Sequence, residues 1–298
     1  MVVAVRQSTV VRAVDQHLLG IEEADDGGLS FVVVEHLSRT DGRFYGGAAL
    51  AAAIAGSEHV TGRTALWSTT QLVGTAGLGE RIELIAEVVA SGRSVDQVTV
   101  RGVVDGDRLV FNAVGGAATA MEGGLTGVGL TMPKVPPPED SGRWGGPGIT
   151  RTEDELPPTL NVGHHLVSEH RDAELLEPDP ARPGHMAIWA RLAGDQAPPS
   201  SELTPAVLGF LADMVPIAVA KACGVAGAGT SLDNSLRIGE PADSEWVLLD
   251  LDAHIGVGGY GHGQVHLWSP DGRLLATGTQ SCRLFSLDAF FAKHRESR

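Results

Sequence analysis

The chain has 298 residues, enough for two domain-sized units at about 100–200 residues each, or for one large unit. Its 22 Lys and Arg against 37 Asp and Glu leave a formal net charge of −15, which argues against a general electrostatic grip on nucleic acid or anionic membrane; neither is expected as a partner, and an anionic ligand must be held by a local patch. Hydrophobic residues at 43% and charged residues at 20% are proportions of a globular chain, and two cysteines, Cys223 and Cys282, are too few for a disulfide framework or a cysteine-rich zinc site.

In chain order, MVVAVRQSTVVRAVDQ shows no positive region followed by a long apolar stretch and a small-residue cleavage site, so a cytoplasmic location is expected. SFVVVEHL (Ser30 to Leu37) reads as a strand. GGAALAAAIAGSEHV (Gly46 to Val60) reads as an Ala-rich helix, followed by strands near Leu66 to Val73, Arg81 to Ala90, Ser94 to Val104 and Arg108 to Ala118. Met121 to Leu160 holds seven of the 16 prolines and no sustained period, and reads as an irregular linker. Beyond it, HHLVSEHRDAELL and HMAIWARL (His185 to Leu192) carry strand signals, with His164 and His165 on opposite faces if they begin a strand. TPAVLGFLADMVPIAVAKAC (Thr204 to Cys223) reads as one helix, too short to span a bilayer over its apolar part and interrupted by Asp213. Strands follow near Thr230 to Ile238, Trp246 to Ile255, Tyr260 to Trp268 and Arg273 to Phe285.

The order of one helix and then four strands therefore occurs twice, and the hairpins VVDGDRLVFNA and SPDGRLLATG fix the register of the repeat through their Asp-Gly turns. Arg81 precedes the turn glycine Gly106 by 25 residues and Trp246 precedes Gly272 by 26. The organisation expected is a first unit over 1–120, a linker over 121–160 and a second unit over 161–298. One apolar helix and about five antiparallel strands per unit suit an α+β fold of two tandem hotdog units, each a curved sheet wrapped around its helix.

Several residues break these patterns. Asp213 is an acid in an otherwise apolar helix, where a carboxylate is either paired structurally or functional. In the last strand, alternation puts Leu274, Ala276, Gly278, Gln280, Cys282 and Leu284 on one face, so a primary amide stands in the row that meets the helix. Seven residues after the aligned arginines, Arg273 leads to Gln280 and Arg108 to Gly115, so both polar anomalies belong to the second unit alone. Strict alternation groups Ser231 with Asp233, Ser235 and Arg237, away from the helix; a bulge could turn it, or its neighbour Thr230, inward. His262 and His266 share a strand face with no further metal ligand at a recognisable spacing, GVGGYGHG lies between two strands and so does not suit a phosphate loop, and Cys223 and Cys282 read as small core residues.

The motifs RFYGG (Arg43 to Gly47), GRSVDQVTVRGVVDGDRLVF, LADMVP, SLDNSLRI, EWVLLDLDA and DGRLLATGTQ, spread over both units, resemble the acyl-CoA thioesterase II (TesB-like) family of double-hotdog proteins. The resemblance implies hydrolysis of a fatty acyl-CoA to acid and CoA by a water held by an Asp of the second helix, a Ser or Thr one strand later and a Gln of the last strand. Those roles fall on Asp213, Ser231 (or Thr230) and Gln280. It implies no metal or organic cofactor, an acyl-CoA substrate, and a homodimer or higher homo-oligomer. The chain departs from the family around Trp67, Ser68, Thr75 to Gly77, Asp233 to Ser235 and Gly239 to Pro241. Two other readings stand beside hydrolysis: a non-catalytic acyl-thioester binder, and an enoyl-thioester hydratase or dehydratase working through a His and acid pair.

Overall fold

The computed structural model describes residues 10–39, 41–144, 166–200, 202–225, 227–240 and 244–286. His164 and His165 lie outside them. After helix α1 (Ala13–Leu19), which no sequence pattern marked, the first half runs β1 (Glu22–Glu23), β2 (Leu29–Val32), α2 (Gly46–Thr61), β3 (Thr64–Leu72), β4 (Arg81–Ser91), β5 (Val95–Val104) and β6 (Arg108–Ala118). The second runs β7 (Gly142–Arg143), β8 (Ser168–Asp172), β9 (Met186–Leu192), α3 (Pro205–Leu211), α4 (Val215–Ala222), β10 (Gly227–Ile238), β11 (Val247–Val257), β12 (Tyr260–Trp268) and β13 (Leu274–Ser286).

All described strands join one antiparallel sheet in the order β1-β2-β4-β5-β6-β3-β10-β13-β12-β11-β9-β8-β7. The halves meet at β3 and β10, where Thr69 stands opposite Ser235. This is the tandem hotdog arrangement, with the two sheets fused edge to edge.

Helix α2 is favoured by its alanines and stops at Gly62, whose left-handed φ of 64° lets its N–H return to the Glu58 carbonyl. Ala48, Ala49, Ala51, Ala52 and Ala53 are buried, so the sheet approaches it closely. Helix α3 starts on Thr204, whose side chain accepts from the Val207 N–H, with Pro205 in the first turn. The two helices lie antiparallel: a Cβ on Gly209 would sit 3.2 Å from Leu50 Cγ and 3.1 Å from Ile54 Cδ1.

Two expectations need correction. Thr204 to Cys223 is not one helix: Pro216 has no N–H to return to the Ala212 carbonyl, and the chain breaks between Leu211 and Val215, with the Met214 N–H turning back to Ala212. Ser30 to Leu37 is a strand only to Val32; Glu35–Leu37 forms a 3₁₀ turn that buries Leu37 and is closed by Ser38 Oγ donating to the Glu35 carbonyl. The described part of the Pro-rich segment is attached to the second half, since Trp189 Nε1 donates to the Pro136 carbonyl at 2.9 Å and Met132 and Val135 cover a small core of Ala173, Ala187, Trp189, Leu248 and Trp268. The apolar span Pro205–Ala222, with mean hydropathy 1.5, is 83% buried as the core helices of the second half.

Candidate active site

Asp213 sits in the break between α3 and α4, so its carboxylate leaves the helix axis and reaches the first turn of α2 in the other half. Two glycines allow that approach. A Cβ on Gly46 would lie 2.6 Å from Asp213 Oδ2 and 3.2 Å from Ser231 Oγ, and one on Gly47 would lie 2.4 Å from the Phe210 carbonyl oxygen. The N–H of Gly47 donates to the Asp213 carboxylate, which is thus held at the positive end of a 16-residue helix.

The opposite wall comes from β10 and β13. Strict alternation would turn Ser231 away, but β10 is bulged between Ser231 and Asp233. The extra residue, Leu232, is pushed into solvent at 42% exposure, and Ser231 and Asn234 both face Asp213. Gln280, opposite Asn234 in the ladder, occupies the inward row that alternation assigned to it and is 1% exposed.

Asp213 Oδ1 accepts from Ser231 Oγ at 2.9 Å, from Asn234 Nδ2 at 3.3 Å and from Gln280 Nε2. Gln280 Nε2 also donates to Ser231 Oγ at 2.7 Å. The three residues predicted from sequence therefore meet, although Asp213 is 18 positions from Ser231 and 67 from Gln280. Asn234 had no predicted role. The signal was present, because a polar side chain two residues before buried Leu236 shares its face. Thr230 has a different partner: its hydroxyl accepts from Arg39 Nη1 at 3.0 Å.

Burial raises the Asp213 carboxyl to about pKa 6; the donors from Ser231, Gln280 and Gly47 and the charge of Arg39 pull against that rise. The Cys282 thiol and the Tyr45 phenol, both pushed upward by burial and by Asp213, stay protonated and neutral beside it. The carboxylate can thus lose and take up a proton near neutrality. Gln280 Oε1 is buried and accepts no hydrogen bond from the described residues.

The other singled-out residues lie elsewhere. Cys223 is exposed at the end of α4, correcting its reading as a core residue, while Cys282 is buried; both are free thiols. His262 meets His254, with Nδ1 atoms 3.2 Å apart, and His266 and His185 flank Asp250, whose carboxyl they hold down at about pKa 2 against its burial. No cluster suited to a metal ion occurs among the described residues.

Residues 133–284 match the family model for the acyl-CoA thioesterase C-terminal domain. No curated protein sequence matches the chain significantly. Among solved structures, a candidate thioesterase of Novosphingobium aromaticivorans is 32% identical, with 88% of this chain and 97% of that one covered at a TM-score of 0.74. A TesB protein of Mycobacterium avium subsp. paratuberculosis (18% identity, 93% and 100% covered, TM-score 0.70) and an acyl-CoA thioesterase II of Mycobacterium marinum (17%, 91% and 98%, TM-score 0.67) share the fold. With a family match over more than half its length and a 32% identical relative aligned almost end to end, the chain belongs to the acyl-CoA thioesterase family and is a thioester hydrolase.

Proposed function

We propose that the protein hydrolyses a fatty acyl-CoA through one water held by Asp213, Ser231 and Gln280. The observation that carries this reading is the convergence of a buried carboxylate near pKa 6, a hydroxyl and a primary amide beside a helix N-terminus. Asp213 orients the water and takes its proton as the oxygen attacks the thioester carbon. Ser231 and Gln280 hold the water and the carboxylate in one geometry, so the attack is close to intramolecular. The first turn of α2, with its positive end, stabilises the oxyanion that develops on the carbonyl oxygen. Collapse breaks the carbon–sulfur bond, and the proton on Asp213 passes to the departing CoA thiolate, which restores the carboxylate.

Two features favour hydrolysis over hydration or dehydration of an enoyl thioester. No imidazole is among the partners of Asp213 in the described residues, and the His185–Asp250–His266 cluster comes from the residue before β9, from β11 and from β12. Arg39 (side chain 23% exposed) and Arg43 (63% exposed) lie on the loop before α2 and offer local cations to an anionic substrate that the net charge of −15 repels at a distance. The test is thiol release from saturated acyl-CoA of graded chain length, with Asp213→Asn as control. Turnover by wild type that the variant lacks is expected; equal turnover by both sinks the mechanism, and no turnover by wild type leaves the non-catalytic acyl-thioester binder.

A further inference from the structure

The break that presents Asp213 releases backbone carbonyls. In a continuous helix the Phe210 carbonyl would accept from the Met214 N–H and the Asp213 carbonyl from the Ile217 N–H. Here Met214 N–H bonds to Ala212 at 2.8 Å and Ile217 N–H to Met214 at 3.2 Å, so both carbonyls lose those partners inside the core. Tyr45, at the start of α2, supplies the replacement: its hydroxyl donates to the Phe210 carbonyl oxygen at 3.2 Å and lies 3.5 Å from the Asp213 carbonyl oxygen. The ring is buried and meets Phe210 edge-on at 5.4 Å. Gly47 makes room for this contact, because a Cβ there would strike the Phe210 oxygen and the Tyr45 ring.

We infer that Tyr45 is a positioning residue for the reaction: its hydroxyl clamps the broken helix of the second half to the first turn of α2 and so sets the place of the Asp213 carboxylate. This rests on the thioesterase reading only for its effect on rate. Burial and the nearby Asp213 keep the phenol protonated, so it remains a donor throughout the working range. The element it holds is the one that brings Asp213 to the Gly47 N–H, Ser231, Asn234 and Gln280. Without the hydroxyl, the carbonyls turn to find other donors and the carboxylate moves off its own.

The test is Tyr45→Phe, which keeps the ring and removes one oxygen, beside Ile82→Val, a core truncation in β4 of the first half. For Tyr45→Phe we expect kcat to fall about tenfold with KM within about twofold, and the acidic limb of kcat/KM to move to higher pH as Asp213 loses donors. The charged or titratable groups facing Asp213 are Arg39, Tyr45 and Cys282, and burial keeps the Tyr45 phenol and the Cys282 thiol protonated across the acidic limb. Ile82→Val should lower thermal stability without moving the limb. A carbon-13 titration of the Asp213 carboxyl, assigned by its loss in Asp213→Asn, reads the same displacement without turnover and should show an upward shift in Tyr45→Phe. If wild type proves inactive while that shift is seen, the thioesterase mechanism fails and the role of Tyr45 stands. An Asp213 titration that does not move in folded Tyr45→Phe overturns the inference.

Discussion

The two halves of the molecule place different chemistry at corresponding positions. Each first strand after its helix carries one bulge, between Ala65 and Trp67 in β3 and between Ser231 and Asp233 in β10, and each bulged leucine, Leu66 and Leu232, is exposed. Matching the bulges puts Ala65 where Ser231 stands, Ser68 where Asn234 stands, and Gly115, opposite Ser68, where Gln280 stands opposite Asn234. Counting from the helix starts, Ile54 takes the place of Asp213. The first half thus has the same framework without the Ser231 hydroxyl, the Asn234 and Gln280 amides and the Asp213 carboxylate.

Acids do occur at that end of α2, in another arrangement. Glu58 Oε1 accepts from the Ala65 N–H at 2.8 Å and Glu58 Oε2 from Arg12 at 3.0 Å, while Asp15 is bonded to the hydroxyl of Thr204, the cap of α3. Arg12, Asp15 and Glu58 line a cavity of about 210 Å³ with Arg63 and His59. They tie backbone ends and helix starts together. In the second half the acid gathers the side chains of Ser231, Asn234 and Gln280; in the first it is consumed by the scaffold.

The sharpest way to break the comparison is Asp213→Asn, for which kcat should fall by about 10²-fold or more with the fold retained, whereas Asp15→Asn should leave kcat unchanged. Gln280→Ala should fall on the same scale as Asp213→Asn, and the double variant should be little worse than either single, because both hold one water. Additive losses in the double variant would separate the two residues.

Next in size, Ser231→Ala should lower kcat about tenfold, Asn234→Ala less, and Thr230→Val little, since the Thr230 hydroxyl is bonded to Arg39 and not to Asp213. The reverse order for Ser231 and Thr230 would move the catalytic hydroxyl to its neighbour. In the pH profile, the acidic limb of kcat/KM should lie near pH 6, where burial puts Asp213. Ser231→Ala and Gln280→Ala each remove a donor to the charged form, so each limb should move to higher pH; a limb that stays or moves down returns the residue to a structural role.

The smallest effect concerns stability. Burial raises Asp15 to about pKa 7 against an ordinary value of 3.8. The folded state therefore holds this proton more tightly than the unfolded chain, and the stabilisation present below pH 4 is lost as pH rises through 7. Asp15→Asn should flatten thermal stability over that window and leave the acidic limb of activity in place. A variant as pH-dependent as wild type would show that other groups carry the slope.

Much of this was legible in the residues. Arg108 to Ala118 and Tyr260 to Trp268 form strands with the bounds that alternation and the Asp-Gly or glycine turns marked. Gln280 was placed correctly because β13 alternates without interruption around it, with Ala276, Gly278 and Cys282 also inward. Ser231 could not be placed by alternation, since one extra residue reverses the phase of a strand and Leu232 looks, by its chemistry, like the inward side chain. The helix break had a written cause in Pro216. Its consequence, an aspartate released toward another helix, depended on where that helix lay.

The sequence by itself determined the repeat, the two core helices and most strands, because these follow from spacings of two and of three to four residues and from turns that a few neighbouring side chains dictate. It also determined that the polar anomalies belong to one half. Only the tertiary structure decided that they meet. The contacts involved, Ser231 and Gln280 on Asp213 and Tyr45 on the Phe210 carbonyl, join residues 18, 67 and 165 positions apart. Such contacts are set by the pairing of β3 with β10 and the antiparallel packing of α2 on α3, which bring the first turn of one half against the broken helix of the other. Local periodicity carries no information about that juxtaposition; it comes from burying two apolar helices against each other inside one continuous sheet.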